Sequence, residues 1–134
     1  KLEGYKHAIS SLLPGTHPTV YETHTNITEA YVVTQKLMTE HPETDGILYG
    51  VDLLAASGIR ALSDMRISVP QKVSVIGINN SVYGELCNPK LTVLDNKLKD
   101  ISIISAKNLI DALNGNLPVK KLLVFSSIVE RETT

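Results

Sequence analysis

The sequence predicts an α/β domain of three layers, a parallel sheet with helices on both faces. Two observations carry this reading. Helical and β-rich stretches alternate from one end of the chain to the other. One run, Lys72–Ile78 (KVSVIGI), is rich in β-branched residues, as suits a strand buried on both faces. Strands separated by helices of about ten to fifteen residues imply right-handed crossovers within one sheet.

The elements follow in order. Gly4–Leu13 places Tyr5, Ala8, Ile9, Leu12 and Leu13 at helical spacing, and Pro14-Gly15 ends it. Thr19–His24 is short and β-rich, so a strand is expected there. Thr25 or Asn26 can cap a helix reaching about Glu40, whose stripe holds Ile27, Ala30, Tyr31, Thr34, Leu37 and Met38. Asp45–Val51 reads as a buried strand, with Asp52 at the N-cap of a helix over Leu53–Met65. After the strand at Lys72–Ile78 come the loop Asn79-Asn80-Ser81 and a short helix or turn to Cys87. Leu91–Leu94 is extended, Asn96–Leu113 is a long amphipathic helix stopped by Asn114-Gly115, and Leu122–Glu130 is a last extended stretch.

Composition narrows the function. The 134 residues fit one domain or a piece of one. A hydrophobic fraction of 43% with 20% charged residues supports a packed core. Net charge is −1 and no basic stripe occurs, so this stretch is not expected to bind nucleic acid by neutralising phosphates. The single cysteine, Cys87, excludes an internal disulfide and a cysteine-built zinc site, and suits a reducing cytoplasm. Apolar runs such as Leu53–Ala56 are far too short to span a bilayer. The chain opens on Lys1-Leu2-Glu3-Gly4-Tyr5, which reads like the middle of a helix, so it is expected to be part of a longer protein.

Catalysis finds no support. His7, His17, His24 and His41 are not at metal-ligand or base spacing, and Cys87 has no adjacent basic residue or second cysteine. Neither a nucleophile elbow nor a phosphate- or dinucleotide-binding glycine loop is present, and no cofactor or metal is called for. Binding is better served. In open α/β sheets ligands lie beyond the carboxyl ends of the strands. Three such ends are His24-Thr25, Val51-Asp52 and Asn79-Asn80, each before a helix N-terminus with free N–H groups. Amides, a hydroxyl and one carboxylate suit a polyhydroxylated small molecule. Each residue also has a plainer role: Asp52 and Thr25 as helix caps, Asn79 and Asn80 as turn residues.

Five segments in order resemble the lactose/galactose repressor family. Val69–Asn80 (VPQKVSVIGINN) resembles its VPxDVSVxGFDD segment, and Thr44–Ala55 (TDGILYGVDLLA) its PDAIFAxNDxMA strand and helix start. Asn88–Val93 (NPKLTV) is similar to its PPLTTV crossover, Ile128–Thr134 (IVERETT) to its terminal LVxRxST strand, and Lys1–Tyr5 (KLEGY) to its RxxGF helix start. The resemblance spans the whole chain and implies a two-lobed sensor that binds a small effector between its lobes. A helix-turn-helix outside this chain would bind operator DNA. Carried over by position, effector contacts fall at Lys1, Thr25, Val51 and Asn79, with Asp52 beside them. Each of the first four departs from the usual residue. Lys1 stands for Arg and lacks its bidentate fork. Val51 stands for Asn and cannot hydrogen-bond through its side chain. Asn79 stands for Asp and can donate as well as accept. Thr25 replaces a frequent aromatic and removes a stacking face.

The resemblance also implies a division of the chain. Residues 1–94 and 121–134 would belong to the second lobe, and the helix at 96–115 would pack in the first. A strand from outside this chain would lie between Thr19–His24 and Asp45–Val51. Without it the sheet would have a hole, and the helix Asn96–Leu113 would expose Leu98, Ile101, Ile104 and Leu109. The chain alone is therefore not expected to fold as a native-like monomer. Dimers in the family form through segments matching Leu53–Leu62 and Ser81–Leu86, which puts Leu54, Val82, Tyr83 and Leu86 at an interface. The expectation is thus the effector-binding and dimerisation module of a cytoplasmic repressor, sensing a carbohydrate. The alternative is a periplasmic sugar-binding protein of a transport system.

Overall fold

A computed structural model describes residues 1–117, 119 and 121–134. The helices are α1 (Leu2–Leu12), α2 (Ile27–Glu40), α3 (Asp52–Asp64), α4 (Val82–Leu86) and α5 (Leu98–Leu113); the strands are β1 (Gly46–Leu48), β2 (Ser74–Ile78), β3 (Thr92–Asp95) and β4 (Ser127–Val129). They form one sheet in the order β1-β2-β3-β4. The first three strands are parallel, with Ile47 beside Val75 and Gly77 beside Val93. β4 runs antiparallel to β3, which corrects the expectation of a wholly parallel sheet. Its direction follows from the path of the chain. The segment returning from α5 meets the sheet where β3 left it, since Ser126 Oγ donates to Asn96 Oδ1 at 3.0 Å. A strand entered from that end can only run back along β3.

The core lies on one face of the sheet. Ala55, Ile59 and Leu62 of α3 and Met38 of α2 pack over Val75 of β2 and Val93 of β3, with Val73 and Leu91 beneath. This is the helical and strand periodicity realised: Ala30, Thr34 and Met38 are buried at four-residue intervals on α2. Of the two possible caps of α2, Asn26 is used, its side chain accepting from the N–H groups of Thr28 and Glu29 at 2.8 and 3.2 Å. Tyr49 reaches in from β1, and its hydroxyl meets Thr34 Oγ1 at 2.7 Å. Burial pushes its pKa up to about 12. Gly58 makes room for that ring, because a Cβ there would stand 2.0 Å from the Tyr49 hydroxyl.

Successive strand residues alternate faces, so Leu48, Ser74 and Ile76 look the other way. Tyr5, Ile9 and Leu13, on α1 and just past its end, line a cavity of about 610 Å³ over them. That cavity explains a second difference. Thr19–His24 joins no ladder. Thr19, Tyr21 and Thr23 line one part of the cavity and Gly46–Gly50 another, while β1 has a single neighbour, β2. A strand needs a partner to count as one, and the space beside both segments is open. β1 and β4 are accordingly shorter than their sequence signals.

Candidate functional site

The carboxyl ends of β1, β2 and β3 lie side by side because the strands are parallel and in sequence order. After β1 the chain passes through Gly50 to Val51, the N-cap of α3. Lys1, far away in sequence, joins it here: its Nζ donates to Gly50 O at 2.7 Å. An ammonium thus stands beside Val51.

Asp52 needs correction. It is the first residue of α3 rather than its cap, and is only 2% exposed. One carboxylate oxygen accepts from its neighbour Leu53 N at 2.9 Å and the other from Ser81 N at 2.5 Å. The carboxylate therefore ties the start of α3 to the loop after β2. Gly77 permits the approach, since a Cβ there would lie 3.1 Å from the backbone of Asp52.

β2 ends in two residues with positive φ, Asn79 at 112° and Asn80 at 61°. Asparagine is the side chain that tolerates this best after glycine. Neighbours hold both. Asn79 N donates to Leu94 O at 3.0 Å, and its Oδ1 accepts from Asn96 Nδ2 at 3.1 Å. Asn80 Oδ1 accepts from Arg131 Nη2 at 2.8 Å; the same guanidinium reaches Glu85 at 2.6 Å and Leu91 O at 2.7 Å. At the end of β3, the hydrogen bond from the Lys97 side chain, joined by that from Lys97 N, holds the Asp95 carboxyl below the usual range.

The structure therefore brings Lys1 to Val51, and Asp52 to the loop that carries Asn79. Thr25 is exposed at the start of α2, and no hydrogen bond among the described residues links it to the others. Sequence reasoning missed Asn96 and Ser126, reading Asn96 as the start of the long helix. That helix begins at Leu98, with Lys97 before it at φ 56°. The available signal was its place just past the end of a strand in a parallel sheet.

The second candidate region is the surface of α4. Val82, Tyr83 and Leu86 are exposed, Leu86 by 75%. Leu54 does not belong with them: at 6% exposure it is a core residue, because the α3 face it occupies is turned inward. The outward neighbours on α3 are Ala56, Arg60 and Ser63, which line a groove of about 330 Å³ with Tyr83 and Leu86. Cys87 lies at its end, its thiol pushed up by burial. Chemically, the strand ends present an ammonium, amides and backbone N–H groups. Such a set offers donors and acceptors of the kind that hydrogen-bond hydroxyls.

The periplasmic binding protein-like domain family matches residues 2–134. An HTH-type transcriptional regulator of Lachnoclostridium phytofermentans is 31% identical over the whole chain, which spans 40% of that protein. The ribose operon repressor of Halalkalibacterium halodurans is 29% identical over 81% of the chain and 33% of its own length. Among solved structures, a LacI family transcriptional regulator from Arthrobacter sp. FB24 in complex with lactose superposes with a TM-score of 0.86 at 28% identity, over 96% of this chain and 49% of that one. The chain thus spans about two fifths of the Lachnoclostridium regulator and half of this solved structure.

Proposed function

The chain belongs to the periplasmic binding protein-like domain family, in the form carried by LacI-type transcriptional regulators, and from that premise we propose that it is the ligand-sensing part of a repressor. In this reading the effector is a carbohydrate, bound at the carboxyl ends of β1–β3 by Lys1, Asn79 and the backbone around Val51. Thr25 stands at the rim and Asp52 holds the loop from behind. The observation that carries the proposal is the convergence of Lys1 and Asn79, 78 positions apart in sequence, on adjacent strand ends. The relatives are regulators rather than enzymes, which argues for binding without catalysis and against the transport-protein alternative. Among the described residues no helix is long and apolar enough to cross a membrane. A cytoplasmic protein follows if operator DNA is the output, reached through a helix-turn-helix elsewhere in the polypeptide.

The division into lobes rests on two features. α5 has no buried residue; Leu98, Ile101 and Leu109 are 49%, 38% and 62% exposed. An apolar stripe of that kind needs a partner, and a first lobe would provide one. The gap beside β1 fits a strand supplied by the same lobe pair. On this reading 1–94 and 121–134 form the second lobe and 96–115 crosses into the first. The α4 surface, with Val82, Tyr83 and Leu86, serves a homodimer. A thermal-shift panel of lactose, cellobiose and ribose on the full-length protein tests the ligand assignment. At one hundred times its Kd a sugar raises stability by about 2.7 kcal/mol. At least one sugar is expected to do so, and Asn79→Ala to abolish the shift. Equal shifts in wild type and variant would place the ligand elsewhere.

A further inference from the structure

Asn79 is held by a side chain that itself answers to another part of the chain. Asn96, which holds Asn79, leaves β3 on the way to α5, and Ser126, which holds Asn96, arrives from α5 on the way to β4. The three side chains make a short relay, Ser126–Asn96–Asn79, with contacts of 3.0 and 3.1 Å. It joins the end of β2 to both connections between the sheet and α5.

We propose that Asn96 and Ser126 are positioning residues for the effector site: they fix the amide of Asn79 and make its placement depend on both segments leading to α5. The proposal rests on the reading of Asn79 as a ligand contact, and adds the path by which that contact is sensed. Three observations support it. Asn79 lies at φ 112°, a conformation its surroundings must impose. The backbone around it is anchored separately, through Leu94 O, so the side-chain relay is not needed to form the sheet. Finally, Asn96 is half-buried while Ser126 is exposed, so the relay runs from the site outward to the connection.

The test uses the full-length protein with asparagine labelled for NMR, in wild type, Asn96→Ala and Ser126→Ala. The readout is the mobility of the Asn79 side-chain NH2 group by 15N relaxation without ligand, followed by lactose affinity. Asn79 Oδ1 accepts from Asn96, so losing that donor frees the whole side chain: its order parameter is expected to fall below about 0.6 in Asn96→Ala, with an intermediate change in Ser126→Ala. Lactose affinity should fall in the same order while melting temperatures stay close to wild type. Unchanged Asn79 side-chain mobility in both folded variants would overturn the proposal. Should Asn96→Ala not fold, Ser126→Ala decides alone, its side chain being exposed. If wild type fails to bind lactose, lactose is the wrong sugar for the site, and the side-chain mobility still decides the relay.

Discussion

Thr133 shows how much one side chain can carry. It is fully buried, and its hydroxyl donates to Val75 O at 2.7 Å while accepting from Thr92 N at 2.8 Å. Its own carbonyl accepts from Val75 N at 2.8 Å. The residue thus bridges the starts of β2 and β3. Replacing it with valine preserves shape and strands two backbone groups. Thr133→Val is expected to cost about 1–3 kcal/mol in urea unfolding; an unchanged midpoint would mean the bridge is not structural. Arg131, two positions earlier, acts similarly on the other side, pinning Asn80 beside the site. The IVERETT ending was legible as a motif. Its function as a clasp was not, because partners 40 to 58 positions away leave no trace in local spacing.

At the scale of elements, the sequence reported best where burial and periodicity agree. Lys72–Ile78 became β2 and Leu53–Met65 became α3, with shifts of one or two residues at their ends. It did worse where the deciding partner is not local. Thr19–His24 has strand composition and no strand to pair with. Leu54 shares its helical spacing with surface and core alike, and only packing shows that it is buried. Asp52 had two readings, a cap and a ligand group; the structure gives it a third, as a tie to Ser81. α4 follows its sequence signal, with Ser81 as its cap and three large apolar residues left outside. That surface is where a second copy is expected. In the proposed homodimer of the full-length protein, Leu86→Lys should give monomer in sedimentation, without lowering the melting temperature of the separated subunit. Retention of the dimer would remove α4 from the interface.

The whole molecule is one buried face and one open one. Helices α2 and α3 close the first with a compact core, whereas α1 and α5 have no buried residue and a cavity of about 610 Å³ remains beside β1. In the proposed two-lobed arrangement those open surfaces are covered by the partner lobe, and the candidate ligand groups stand at the edge that faces it. Lys1 was singled out by the family resemblance alone, and Asn79 also because strand ends in a parallel sheet are expected places for ligands. The relay behind Asn79 was not, since it depends on where the chain returns from α5. In the proposed function, sugar binding at these strand ends alters DNA binding elsewhere in the polypeptide. Fluorescence anisotropy of the full-length protein on DNA from upstream of its own gene, with lactose, cellobiose or ribose added, tests this directly. Coupling of this kind is typically about 5- to 150-fold in affinity. A change of that size with at least one sugar, lost in Asn79→Ala, is the predicted result. DNA affinity that no sugar alters, or that a sugar alters equally in the variant, would exclude coupling through this site.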